Sequence, residues 1–131
     1  MSRLTMVARI LLGLIFTVFG LNGFLNFLPP PELPEAAVPF MTGLASTGYF
    51  FPMLKLVEVV AGICLLAGLF VPLSLILLAP IVVNIAMFHF LLAPGEWWMG
   101  VLVVVLEIIV ARGYWDSFSG VLEMRAKPSA G

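Results

Sequence analysis

The sequence predicts an all-α integral membrane protein, a four-helix bundle running up-down-up-down with a short surface helix or loop between its first two spans. Three observations carry this. The 131 residues are 63% hydrophobic and only 10% charged, with a mean hydropathy of +1.20. An ordinary soluble domain is about half apolar and about a quarter charged. Four segments reach the roughly 20 apolar residues that a helix needs to cross a bilayer. Strong turn signals separate them, and no stretch between them could form a soluble domain. The chain therefore reads as one four-span domain over residues 1–131, with lipid as its main partner. The net charge of −1 says little by itself, and the lack of any basic patch argues against nucleic acid.

The first span covers roughly residues 5–28. It is too long for a signal-peptide core and no small-residue cleavage motif follows it, so it is read as retained. The run PPPELP at 29–34 ends it, because proline has no backbone donor and clashes with the preceding turn. Between 29 and 51, Val38, Met41, Leu44 and Ala45 recur at helical spacing. Pro39 and Gly43 weaken that helix, so an interfacial helix and an irregular loop are both open here. The second span covers roughly 51–70, and Gly68 and Pro72 bracket a tight turn into the third, roughly 73–93. Pro80 inside the third span predicts a kink. Ala93-Pro94-Gly95-Glu96 separates it from the fourth, roughly 97–116, which leads into a tail at 117–131.

The even span count puts both termini on one side. Arg3, Arg9, Arg112, Arg125 and Lys127 lie on that side, against Lys55 alone among the cations on the other. The positive-inside rule makes the terminal side cytoplasmic. Aromatic residues mark both boundaries: Tyr49, Phe50, Phe51, Trp97 and Trp98 the outer, Tyr114 and Trp115 the inner.

Polar residues inside the spans are the candidate site. Ionisable groups in hydrocarbon are costly, so they face protein or water and pair. Lys55 and Glu58 are three apart and share a helix face, so the stripe Lys55, Glu58, Gly62, Leu65 is expected to face protein. Asn22 and Asn26 lie near the outer end of span one, opposite a stripe of Gly13, Gly20 and Gly23 suited to close helix contact. His89 lies near the outer end of span three, while Asn84 and Glu107 are closer to the midplane. Arg9 and Arg112 can snorkel to the inner headgroups. The expectation is an outward-facing polar pocket with an apolar floor, bound by Asn22, Asn26, Lys55, Glu58, Asn84, His89 and Glu107.

Each of these residues also has a structural role open to it. Lys55–Glu58 could fix helix register, His89 could be a packing histidine, and the asparagines could join helices. Glu107 has no cation within a turn, so it is neutral or paired across the bundle. Asn84 and His89 are five apart, about 140° around a helix, and converge only if a kink redirects them. A single histidine and a single cysteine, Cys64, give no metal-ligand set, disulfide or CxxC pair.

The segments RILLGLIFTVFGLNGFLNFLP and TGYFFPMLKLVEVVAGICLLAGLFVPLSLILLAPIVVNIAMFHFLL resemble the DoxX family of small bacterial membrane proteins. The resemblance rests on the arginine–glycine start, the Lys-x-x-Glu-x-x-x-Gly pattern of span two and the Ala-Pro, Asn, His pattern of span three. It extends to about residue 115. It implies a four-helix bundle in the bacterial cytoplasmic (inner) membrane. The family is named for a subunit of thiosulfate:quinone oxidoreduction, and some members are linked to redox-stress complexes. The resemblance therefore implies a redox-linked accessory subunit, with Glu58, His89 and Lys55 near a quinone or another small ligand. No flavin, haem or iron–sulfur motif accompanies it, so no cofactor is fixed and quinone is the candidate. Whether the chain is itself an enzyme stays open, since redox chemistry would need the quinone or a membrane redox partner. Two other functions are compatible with four spans: a small transporter or binding protein for an apolar molecule, and a structural or assembly subunit, as a homo-oligomer or with a partner.

Overall fold

A computed structural model describes residues 1–130 of the chain. Its long helices are α1 (Arg3–Leu25), α3 (Phe50–Ala67), α4 (Val71–Leu91) and α5 (Trp97–Gly113), with a short α2 (Val38–Ser46) between the first two. The four long segments are each long and apolar enough to cross a membrane. Between 22% and 33% of each span's most apolar window is buried, so most of the apolar surface faces outward. Lipid is the solvent that accepts such a surface, and the four-span membrane bundle stands.

The boundaries follow local chemistry. Ser2 caps α1 by accepting from the Thr5 backbone N–H at 3.1 Å. At the other end Asn26 adopts a left-handed conformation, φ 52°, and its N–H donates to the Asn22 carbonyl, which ends the helix before the prolines. Gly68, φ 73°, closes α3. The Leu69 N–H donates to the Cys64 carbonyl at 2.9 Å and the Gly68 N–H to that of Leu65 at 3.3 Å, the paired bonds of a glycine-terminated helix. Phe70 is also left-handed, φ 50°, and the two reversals turn the chain directly into α4. Pro72 then falls in the first turn of α4, where a missing N–H costs nothing. Pro80 is carried inside α4 without interrupting it.

The segment left open between helix and loop is helical. A 3-10 turn at Glu35–Ala37 leads into α2, and Pro39 sits in the first turn, where proline is tolerated. Its packed face differs in detail from the expected one. Ala37 is buried and Phe40, Met41 and Leu44 are half-buried, whereas Val38 and Ala45 are exposed. Phe40 supplies the anchor, its ring centroid 5.8 Å from that of Phe88 on α4.

The helices form a ring in which α1 packs on α3 and α5, and α4 packs on α3 and α5. The α1–α3 seam is the most extensive and the α3–α4 seam the sparsest. Leu12, Phe16, Leu65, Leu78, Leu106 and Val110 fill the centre. Phe118, in a 3-10 turn after α5, joins this core, so the packed domain runs past the expected end of span four.

The α1–α3 contact depends on glycine. A Cβ at Gly13 would lie 2.9 Å from the Gly62 carbonyl oxygen, and one at Gly62 would lie 2.7 Å from the Thr17 backbone nitrogen. Only hydrogen at these positions lets the two backbones approach so closely, as small residues do between membrane helices. The stripe read from the sequence is therefore this seam, with Thr17 as an unanticipated member.

Candidate functional site

Lys55 and Glu58 occupy successive turns of α3 at the end of the bundle that carries α2. Their ion pair is formed, Lys55 Nζ to Glu58 Oε2 at 3.2 Å. The Lys55 stem crosses Gly23 of α1, where any Cβ would collide with it. Thus Gly23 makes room for the lysine and aims its ammonium back along α3. Glu58 is buried and Lys55 half-buried. Gly62 and Leu65 continue the buried stripe, as the spacing predicts.

Glu58 also borders a cleft of about 390 Å³ between α3 and α4. Phe50, Met53, Leu54 and Val57 line it from α3, and Leu77, Pro80, Ile81, Asn84 and Ile85 from α4. Asn84 is exposed on this face. It also borders a second hollow of about 210 Å³, formed with Phe40, Met87, Phe88, Leu91 and Leu92 under α2. The cleft lies where the bundle is least packed. It is mainly apolar, with Glu58 and Asn84 as its polar wall groups.

The other candidates stand elsewhere. His89 donates through Nδ1 to the Ile85 carbonyl at 2.8 Å; a carbonyl only accepts, so this contact sets a proton on Nδ1. The His89 ring meets Phe88 edge-on, and its Cβ faces Gly100 of α5. Asn84 and His89 therefore diverge, as 140° of helix rotation requires. Glu107 lies two turns from Gly100, on the same face of α5, the face that meets Ala86 of α4. Its Oε2 is buried and has no hydrogen-bond partner among the described residues.

Asn22 accepts the Leu28 N–H through Oδ1 at 2.8 Å, and Asn26 is the left-handed cap. Both shape the exit from α1. The seven candidates thus fall into three groups: helix-end asparagines, the Lys55–Glu58–Asn84 group beside the cleft, and His89 with Glu107 on the α4–α5 side.

One feature escaped the sequence. Arg9, expected at the headgroups, lays its guanidinium against Gly68 at the C-terminus of α3, with Nε buried and unpartnered among the described residues. Cations are favoured there by the helix dipole. The left-handed glycine was the available signal, since a bare turn leaves space for a large side chain.

Fold and cleft together define a small four-span membrane bundle with a gap between its second and third spans. The sequence matches the DoxX family over residues 4–91, and the chain belongs to that family. The match takes in α1 to α4, hence the whole cleft. Comparison with curated proteins and with solved structures returned no match.

Proposed function

We propose that this DoxX-family protein is a redox-linked accessory subunit that holds a quinone or a similar small ligand in the α3–α4 cleft. The observation that carries this reading is the pairing of a buried, salt-bridged carboxylate, Glu58, with Asn84 as the polar groups of an otherwise apolar cleft. A volume of about 390 Å³ falls in the range of small-molecule sites, which are mostly apolar with a few placed polar groups. The Asn84 amide N–H suits a quinone carbonyl, while its oxygen and the Glu58 carboxylate suit a quinol hydroxyl. Both redox states of such a head group find partners beside the Lys55–Glu58 ion pair. Electrons would come from a membrane partner.

Added decylubiquinone should raise the melting temperature of the purified protein. At about 100 times Kd, ligand binding adds about 2.7 kcal/mol to stability. Asn84→Leu should melt like wild type without quinone and lose the quinone-dependent rise. An equal rise in both proteins would place the quinone elsewhere, and no rise in either would end the quinone reading.

The proposed setting is the bacterial inner membrane with both termini cytoplasmic. Arg3, Arg9 and Arg112 lie at the same end of the bundle as the termini, since Thr5 of α1 meets Gly113 and Arg9 meets Gly68. In a Cys64→Ala background, cysteines at Ser2 and Ser129 should react with an impermeant maleimide only after the inner face is opened. Labelling of intact cells at either position would reverse the orientation.

A further inference from the structure

Leu77, Pro80, Asn84, Met87 and Leu91 recur every three or four residues along α4, and all five are exposed. They form one continuous face of the helix, about 21 Å long. The two hollows lie along this face and meet at Asn84, which borders both. The Asn84 amide forms no hydrogen bond among the described residues. It lies seven residues before the end of α4, about 10 Å into the span, too deep for ordinary headgroups. At the end of the bundle that carries α2, the Phe40–Phe88 contact lays α2 over the upper hollow.

We propose that the site is entered sideways from the bilayer, and that this face is the track for a single-chained amphiphile with an uncharged, hydrogen-bonding head. The head stops at Asn84 beside Glu58, and the tail lies along α4 and out into lipid. This rests on the cleft proposed above as the ligand site and adds its ligand class and route. A charged phospholipid head is excluded by depth, because carrying its charge to Asn84 forfeits hydration. A helix from a second copy would bridge the concave cleft and leave it empty, whereas a flexible chain fills it.

The test uses the full chain in lipid nanodiscs and a long-chain fatty alcohol bearing a diazirine in its tail, with crosslinks mapped by peptide mass spectrometry. Labels should concentrate on the α4 face and on Met53, above the level on lipid-facing Leu4, Leu11 and Leu14 of α1. Ile81→Trp, which fills the cleft, should cut the α4 labelling to about a tenth, the effect of a tenfold weaker site, and leave α1 unchanged. Asn84→Leu, a milder change, should also reduce it. Excess decylubiquinone should compete, and excess phosphatidylglycerol should not. Focused labelling that decylubiquinone fails to displace would retain the lateral track and remove quinone as its ligand. Even labelling of all spans, or labelling unchanged in both variants, would overturn the track. So would spontaneous dimer crosslinking of Asn84→Cys in a Cys64→Ala background, which would show a second copy on this face.

Discussion

Gly62→Leu is expected to abolish the folded bundle, and Gly62→Ala to weaken it measurably. A Cβ at residue 62 would stand 2.6 Å from Thr17 Oγ1, 2.7 Å from the Thr17 nitrogen and 3.0 Å from the Gly13 carbonyl oxygen. Two of these three atoms are backbone and cannot rotate away, so α1 and α3 must separate. Overpacking a close contact costs about 1–3 kcal/mol per added group. For alanine, helix propensity returns about 1 kcal/mol, leaving a net loss of up to about 2 kcal/mol. Leucine adds three further carbons and opens the most extensive seam of the bundle. Gly43→Ala is the control. Nothing lies within 4 Å of its added Cβ, so it should be neutral or stabilising by about 0.4–1 kcal/mol. Thermal unfolding in detergent ranks the three. A Gly62→Leu protein that melts with wild type would refute the close seam.

The second large effect belongs to Lys55 and Glu58. Removing one member of a buried ion pair leaves the other uncompensated, at a cost of about 3–5 kcal/mol. The two single variants should differ, because the side chains are 25% and 5% exposed respectively. Lys55→Met strands a carboxylate that has no route to water and should approach the full cost. Glu58→Gln leaves an ammonium free to turn toward the interface, so its loss should be smaller. The double variant should recover much of the stability, because no charge remains buried. Thermal melts of the four proteins measure this coupling directly. Additive losses would mean that the pair contributes nothing as a pair.

Much of the fold was legible because membrane solvation writes it in composition. Long apolar runs must be helical in lipid, where every backbone group needs an internal partner, and prolines and glycines mark their ends. The Lys55–Glu58 contact and the glycine seam were legible because both depend on spacing within one helix. The arrangement between helices was not. Nothing in the sequence says that α3 and α4, joined by the tightest turn, share the sparsest seam, since that depends on how side chains fit across it. For the same reason His89 and Asn84 could be separated by rotation but not assigned to neighbours. The roles of Asn22 and Asn26 at the helix end were partly visible in retrospect. Two asparagines one turn apart before three prolines suit a left-handed cap. Phe40 lies off the regular apolar stripe of α2, whose packing follows the larger aromatic ring against Phe88.

Native mass spectrometry of the protein carried from its own membranes in native lipids tests the central claim most directly, because a molecule held in the cleft is then weighed rather than inferred. Wild type should retain a quinone, and Ile81→Trp and Asn84→Leu should retain far less while keeping their fold. Wild type released without a quinone or another uncharged tailed molecule, or variants retaining as much as wild type, would contradict the account.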